Sequence, residues 1–547
     1  MRVTLIRCPW WVRYCPPYIL GYFAAFLRRA GIEVRLYDLN NILYHKIPED
    51  YKKYWDDRDY FSLWENSSFI NWILSLSSDI EKLIDEISGQ GPELICFTTH
   101  TPNTLISEIL AEKIKKKNPE AVTVFMGHKA AKTQMAFEFI EKPYIDYVCY
   151  GEADIPLLTL TGRLKNSVPG EELPEVAGFL VKRNGKIIDC GEGAIVKDLN
   201  KVPFPDYSDF KADIEERRYS QPERLDVLES RGCPNACNFC YERLYWKGFR
   251  SISGRKMFEQ ILYHRQEFPS VNYFYFNSLL LNGNLKALEE FCDLVLESNM
   301  KISWAGQAAI RKGMKPELLK KMALAGCNWL GFGVESGSDS LLKKMNKNHT
   351  SEDAYSLIKS AKEAGISVQI NIIFGYPGET EEDFQKTIEF VRLVRPYIDN
   401  VLASQSFCTL EKRTYLKEHA EAAGIIDDGH HLFCEAEGGN TYSDRLRKYE
   451  EFCREALKMG IPETSGVLSK KPDKWVMLGD YYTYKKDYQK AADAYIRSLE
   501  DEGGNKSVAL RAASALGAAG DEEGRDSMLE KASEYESEEF CPPEEEE

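Results

Sequence analysis

Three cysteines, Cys233, Cys237 and Cys240, fall in the stretch Ser230-Arg-Gly-Cys-Pro-Asn-Ala-Cys-Asn-Phe-Cys-Tyr241 with the spacing C-x3-C-x2-C. A loop this short can turn its three sulfurs toward one metal centre. Thiolates select zinc, copper(I) or iron–sulfur clusters. A structural zinc or a fully ligated cluster needs a fourth ligand. The nearest downstream histidine, His264, lies in a segment patterned as a helix. Three sulfurs around four irons would leave one iron open to a small molecule. The competing readings are a zinc knuckle and three unrelated thiols.

With Phe239 before the last cysteine and Tyr241 after it, this stretch resembles the radical S-adenosylmethionine enzymes. The resemblance implies a [4Fe–4S] cluster held by Cys233, Cys237 and Cys240, with S-adenosylmethionine bound on the open iron. One electron then splits the sulfonium to methionine and a 5′-deoxyadenosyl radical, so a one-electron reductant such as flavodoxin or ferredoxin is implied as partner. The cofactor carries the hard chemistry, and the protein orients and shields it.

Three further patches fit the resemblance. Gly331-Phe-Gly-Val-Glu335-Ser336-Gly337 sets a carboxylate and a hydroxyl at a strand end. There the family binds the ribose and amino groups of S-adenosylmethionine; the structural alternative for Glu335 is a helix cap. Phe374-Gly375-Tyr-Pro-Gly378-Glu-Thr380 follows an apolar strand and opens a helix capped by Thr380 with Asp383. The family uses such a turn to bring backbone to the adenine, although any tight β-to-α connection needs glycines there. Gln307 ends another strand within reach of cofactor or substrate. Asn277-Ser278 stands where relatives often carry an acid, which removes one general base.

The elements that must position these residues alternate strand and helix. Strands are expected at Leu225–Leu228, Tyr273–Phe276, Ile302–Ala305, Leu330–Val334, Val368–Phe374 and Val401–Ser404, with helices near 256–267, 285–298, 316–325, 351–364 and 380–393. Six βα units over 223–425 suggest a partial (βα)6 barrel with its active residues at the carboxyl ends of the strands.

Residues 1–165 also alternate. Strands at Val3–Ile6, Glu33–Tyr37, Leu94–Thr98, Val122–Met126 and Ile145–Cys149, with helices over 17–31 and 104–117, predict a doubly wound, flavodoxin-like parallel sheet. An aromatic-rich insertion occupies roughly 45–90. Pro16-Pro17 through Leu27-Arg-Arg-Ala-Gly31, Thr101-Pro102-Asn103 and Tyr150-Gly151-Glu152 resemble the cobalamin-binding domain that precedes many radical S-adenosylmethionine barrels. The resemblance points to cofactor contacts at Thr101, Asn103, Gly127, Gly151 and Glu152. Two departures stand out. The Asp-x-His-x-x-Gly cobalt-ligand motif is absent, and Gly127-His128 replaces the usual Gly-Gly. His100 and His128 are loop histidines, candidate cobalt ligands or plain polar surface. Residues 166–222 form a connector with a hairpin turning at Asn184-Gly185.

Beyond 425 the barrel pattern fades. His430, His431 and Cys434 match no common metal site, and a helix is expected over 444–459. Trp475 to Tyr495 resembles a tetratricopeptide repeat, with a degenerate copy over 508–532. This 426–533 region is expected to pack on the barrel or to bind a protein partner. The Glu-rich end, 534–547, has the composition of a disordered tail.

The 547-residue chain carries a net charge of −16 and 43% hydrophobic residues. The acidity disfavours nucleic-acid binding. No stretch approaches ~18 uninterrupted apolar residues, and no signal peptide is evident. Fourteen cysteines, scattered apart from the central three, suit a reducing cytoplasm. The resemblance implies a cobalamin-type radical S-adenosylmethionine C-methyltransferase that uses S-adenosylmethionine twice, for the radical and for remethylating cobalamin. Its substrate is a small molecule, lipid or peptide. A ring-forming or rearranging relative and a non-catalytic tetratricopeptide adaptor are the rivals. Trp10, Trp11 and Tyr376 are expected to exclude water where sheet and barrel meet.

Overall fold

A computed structural model describes residues 2–56, 63–89, 93–127, 130, 134–167, 171–403, 410, 414–426, 435–436, 440–461, 474–501 and 506–535. His128, His430, His431, Cys434 and most of the acidic tail lie outside them. The chain divides into two compact units.

The first unit comprises 1–236, 240–332 and 359–368. Its amino-terminal part is a sheet of β1 (Arg2–Arg7), β2 (Val34–Asp38), β3 (Glu93–Thr98), β4 (Val122–Met126), β5 (Tyr147–Cys149), β6 (Phe179–Arg183) and β7 (Lys186–Asp189). The order is β2-β1-β3-β4-β5-β6-β7, and the first five strands are parallel. Val122–Met126 is buried along its whole length and apolar but for Thr123, as suits a parallel strand covered on both faces. The order reverses between β1 and β3, so the crevice for a ligand opens at their carboxyl ends. The expected hairpin turns at Asn184-Gly185, both with positive φ. It pairs antiparallel onto β5 and so extends this sheet.

The insertion contains helices that alternation did not reveal: Leu39–Lys46, Lys53–Asp56, Ser67–Ser75 and Ser78–Ser88. Asn66 caps the third through Ser68 N and Phe69 N. Trp55, Trp64 and Phe69 pack edge to face at 4.7 and 5.3 Å.

The second sheet begins with β8 (Arg224–Val227), followed by the short antiparallel pair β9 (Ser230–Arg231) and β10 (Arg250–Ser251). It continues with β11 (Tyr273–Phe276), β12 (Ser303–Ala308) and β13 (Cys327–Glu335). Parallel pairing runs β8-β11-β12-β13. The strand β13 passes covalently into the second unit, where β14 (Ser367–Ile372) and β15 (Asn400–Ala403) complete the order β15-β14-β13-β12-β11-β8. All six expected strands and five helices are present within a few residues of their predicted bounds. They form a six-stranded sheet, and among the described residues it does not close into a barrel.

The second unit comprises 237–239, 333–358 and 369–547. Its helix Tyr442–Lys458 carries a capping box from Thr441 to Asp444. Helices Lys474–Tyr484, Tyr488–Asp501, Lys506–Ala519 and Glu522–Glu534 follow. They share a core of small residues, Ala491, Ala509 and Ala512 among them, with Tyr495 and Leu516. Gly479 has no room for a side chain, because a Cβ there would lie 2.3 Å from the Tyr495 ring. No described helix is long and apolar enough to cross a membrane.

Candidate active site

The cysteine loop leaves β9 through Gly232, whose φ is +76° and where a Cβ would lie 2.3 Å from the Gly248 carbonyl oxygen. Only glycine fits such a place. Residues 232–249 are thus clasped at their base by the β9–β10 pair, Arg231 opposite Arg250 and Ser230 opposite Ser251. Cys233, Cys237 and Cys240 are half-buried, whereas Cys8, Cys15, Cys96, Cys149, Cys292, Cys327 and Cys453 are buried. Burial pushes the Cys8, Cys149 and Cys292 thiols up to about 12, so those remain thiols. Among the described residues, no three His, Cys, Asp or Glu side chains are gathered closely enough to hold a metal ion. The donor set nonetheless fits an iron–sulfur cluster, being three accessible thiols on one clasped loop. His264 is no fourth ligand. It is fully buried in the helix Gly254–Glu267, beside the rings of Tyr207 and Tyr263.

Arg231, which sequence reasoning passed over, ties this loop to the end of β5. Its guanidinium donates to Glu152 Oε2 at 2.8 Å and to Asp154 at 2.9 and 3.0 Å. Arg250 donates to Glu152 as well, at 3.1 Å from Nη1 to Oε2, and Tyr22 donates to Asp154. Burial favours a neutral Asp154, but the Arg231 charge and the hydrogen bonds from Arg231 and Tyr22 together outweigh it and hold the carboxyl below its ordinary value. Glu152, expected as a cofactor contact, is therefore occupied by two arginines. Tyr245 donates to the Gly151 carbonyl at 3.2 Å. The sequence shows only that Arg231 stands two residues before the first cysteine; its acidic partners come from the fold.

Ser278 at the end of β11 donates to Glu229, and Ser230 donates to Ser278 at 3.1 Å. An acid thus does stand at this edge, supplied from β8 rather than β11. Burial pushes the Glu229 carboxyl well above its usual range, and its Oε2 is buried without a hydrogen-bond partner. Gln307 is half-buried at the end of β12. A side chain at Gly331 on β13 would meet its Oε1 at 2.5 Å, so the glycine leaves Gln307 its place. Tyr241 is half-buried and precedes the helix Glu242–Tyr245.

In the second unit, Glu335 ends β13 with φ +73°. A left-handed backbone is unusual for glutamate and is held only where its surroundings fix it. Here the Glu335 carbonyl accepts from Ile373 N at 2.9 Å, and Lys347 Nζ donates to its Oε1 at 3.0 Å. Glu335 does not cap a helix. Ser336 is fully buried and spent on structure, paired with Thr387 Oγ1 at 3.0 Å and accepting from Ser338 N at 3.0 Å.

The turn after β14 has Gly375 at φ +70° and Gly378 at φ +76°. Glu379 Oε2 accepts from Gly375 N at 3.0 Å. Burial raises the Glu379 carboxyl, against the pull of Lys448. Thr380 and Asp383 form the expected capping box for the helix Glu381–Val394. Tyr376 is buried, donates to the Lys344 carbonyl at 3.0 Å, and meets Phe239 edge-on at 6.3 Å. Asn238 N donates to Met345 O and accepts, through its carbonyl, from Leu416 N, each at 3.0 Å.

At the carboxyl edge of the amino-terminal sheet, Gly127 has φ +114° and sits against Thr99, whose carbonyl oxygen would lie 2.7 Å from a Cβ. Thr101 opens the short turn Thr101–Asn103. Asn103 accepts from His100 N and donates to the Thr98 and Cys8 carbonyls at 3.0 and 3.4 Å. It secures the loops of β1 and β3 to one another. Nothing lies within 4 Å of a Cβ built on Gly151. The His100 ring lies 4.8 Å from that of Trp11. Trp10 Nε1 donates to the Trp55 carbonyl at 3.0 Å, so Trp10 leans on the insertion. Farther along this loop, Cys15 donates to Asp226 on β8 at 3.4 Å.

A family profile described as the radical SAM superfamily matches residues 227–391. An uncharacterized methyltransferase of Pyrococcus horikoshii is 26% identical, over 64% of this chain and 73% of its own. An anaerobic magnesium-protoporphyrin IX monomethyl ester cyclase of Cereibacter sphaeroides is 24% identical over 56% of this chain, which spans half the cyclase's length. Among solved structures, the cobalamin-dependent S-adenosylmethionine radical enzyme OxsB with aqua-cobalamin bound matches with a TM-score of 0.62 at 15% identity. That match covers 97% of this chain and 80% of the other, and it shows a shared fold.

Proposed function

We propose that this chain, whose residues 227–391 match the radical SAM superfamily profile, is a radical S-adenosylmethionine enzyme and a cobalamin-dependent C-methyltransferase acting on an unactivated carbon. The observation that carries the reading is the clasped loop, which gathers Cys233, Cys237 and Cys240 half-exposed within eight residues, while seven other described cysteines are buried and the half-buried Cys190 lies apart, after β7. These three would hold the [4Fe–4S] cluster, and the loops at the carboxyl edge of the amino-terminal sheet would hold cobalamin. When bound, the cluster supplies an electron to the sulfonium of S-adenosylmethionine and the corrinoid supplies a carrier for its methyl group.

The chain's own residues do the rest. Glu335, fixed by Lys347 and by its strained backbone, offers a carboxylate oxygen to the amino or ribose groups of the cofactor. The Gly375 turn brings backbone close to the adenine, and the paired rings of Phe239 and Tyr376 exclude water beside it. Gly127, Thr99 and Gly151 give the sheet edge a small-residue floor on which a planar macrocycle can lie. Glu229, buried with its carboxyl pushed well above the usual range and its Oε2 without a hydrogen-bond partner, is a polar group at the edge of the second sheet.

The second reading, ring formation without methyl transfer, is favoured by the cyclase relative. Product stoichiometry separates the two. The reconstituted full chain is given cobalamin, reduced flavodoxin, methyl-labelled S-adenosylmethionine and a panel of small-molecule, lipid and peptide substrates. Methyl transfer consumes S-adenosylmethionine twice. It therefore yields 5′-deoxyadenosine and S-adenosylhomocysteine in roughly equal amounts, with label in the product. A substrate converted with 5′-deoxyadenosine alone, its label left in methionine, selects the cyclase reading. A protein adaptor converts nothing.

A further inference from the structure

The radical S-adenosylmethionine profile ends at residue 391, yet the Gly375–Glu379 turn inside it is completed by residues far beyond that point. Glu379 is buried, and its Oε2 serves two donors at once. One is Gly375 N, and the other is Lys448 Nζ at 3.0 Å from the helix Tyr442–Lys458. The lysine side chain is 4% exposed and the glutamate 1%. The pair thus has no solvent to share its charge with, and each member depends on the other.

Just before the same helix, Asn440 donates its amide to the carbonyls of Gly375 and Tyr376, at 3.2 and 3.0 Å. Arg445 lies flat against Gly375, its Cδ 1.9 Å from where a Cβ would stand. Phe374, which leads into the turn, packs on Phe452 and Tyr449 of the helix, at 4.9 and 6.4 Å between ring centroids. Asn440, two residues before the helix, thus holds the Gly375 and Tyr376 carbonyls, and Lys448 on the helix holds the Glu379 carboxylate that accepts from Gly375 N. Lys344 Nζ holds the far side of the turn through the Gly378 carbonyl at 2.6 Å.

We propose that Asn440 and Lys448 are positioning residues for the cofactor-binding turn, so that the carboxyl-terminal helix Tyr442–Lys458 is a working part of the S-adenosylmethionine site. The proposal rests on reading Gly375–Glu379 as a cofactor contact. A turn with two left-handed glycines samples many conformations on its own. Locking it beforehand removes the ordering cost from each binding event. Unlocking it should weaken S-adenosylmethionine binding and leave the cluster cysteines, which lie elsewhere in the sequence, with their iron.

The test uses the full chain with its cluster reconstituted, and S-adenosylmethionine as the probe in equilibrium dialysis. Asn440→Ala and Lys448→Met should each weaken binding by about tenfold or more, with KM for 5′-deoxyadenosine formation rising more than kcat falls. Iron content and cluster absorption should match the parent. Lys448→Arg, which keeps the charge and a donor, should bind within about threefold of the parent. Should Lys448→Met fail to fold, Asn440→Ala, which strands no charge, decides alone. Variants that melt earlier but bind as tightly as the parent overturn the proposal, as does a Lys448→Arg variant no better than Lys448→Met. A parent that binds S-adenosylmethionine while the variants match it sinks this inference alone. A cluster-loaded parent that binds none removes the reading of the turn, and the inference with it.

Discussion

Glu335 keeps a left-handed backbone at φ +73° that costs on the order of 1–3 kcal/mol and buries its carboxylate against Lys347. Selection for stability alone would place glycine or asparagine there. We therefore expect Glu335→Gln, with the same backbone and volume, to lower stability by only about 1–2 kcal/mol while weakening S-adenosylmethionine binding about tenfold. Chemical denaturation and dialysis of the same sample separate the two effects. Gly232 behaves in the opposite way. A methyl group at Gly232 would collide with the Gly248 carbonyl, so Gly232→Ala must break the β9–β10 clasp. Iron incorporation should fall several-fold with no cysteine changed; full iron content in that variant would refute the clasp. The placement of the three cysteines on one loop, of Glu335 at a strand end and of Gly375 in a tight turn was legible because spacing and neighbours are local. Lys347, Arg231 and Glu229 were not, because their roles come from partners brought together by the fold. Arg231 finds Glu152 and Asp154 some eighty residues upstream, and no pattern along the chain encodes that meeting.

At the scale of elements, the helix Gly254–Glu267 buries His264 completely, with neither ring nitrogen hydrogen-bonded. Burial lowers its pKa from 6.5 to about 3. Burial, with the Lys347 charge adding to it, lowers that of His349 to about 4. In both cases the unfolded chain takes up the proton more readily. Stability is therefore intact above pH 6.5 and is lost as the pH falls from there through 4 and toward 3. The full loss is on the order of 5 kcal/mol for His264 and about 3 kcal/mol for His349, of which about 2 kcal/mol each falls by pH 5. Urea unfolding at pH 7 and pH 5 should show it, and His264→Leu should flatten that slope; an unchanged slope would mean His264 is not neutral in the folded chain. Strands and helices of both sheets were readable because apolar runs, glycine stops and capping residues agree along each segment. The insertion was not. Its helices are four to eleven residues long, and the shorter ones are held by aromatic packing such as Trp55 on Trp64. The local signs were the caps Asn66 and Ser77 and the stripe Ile80, Ile84 and Ile87 of the last helix.

At the scale of the molecule, the sequence suggests a cobalamin-type domain over 1–165 that ends where a connector begins. The contacts do not stop there. The amino-terminal sheet and strands β8 to β12 fall in one compact unit. The hairpin Phe179–Asp189 completes the first sheet, Asp206 N donates to the Gly21 carbonyl at 2.9 Å, and Tyr207 packs on Gly21. Arg231, 6% exposed, has Glu152 and Asp154 as its acidic partners. Deleting residues 1–165 would strand that guanidinium beside the first cluster cysteine and bare the faces of β6 and Tyr207. Stranding a buried charge alone costs about 3–5 kcal/mol, a large share of a domain's whole stability. We therefore expect the truncated chain to lose cobalamin binding and the iron–sulfur cluster together, and to be recovered largely insoluble. Arg231→Met, which removes the stranded charge, should restore solubility only in part, since the bared apolar faces remain. A soluble 166–547 fragment with full iron content would show instead that the second sheet folds without the first, and that the Arg231 network is a contact between independent domains.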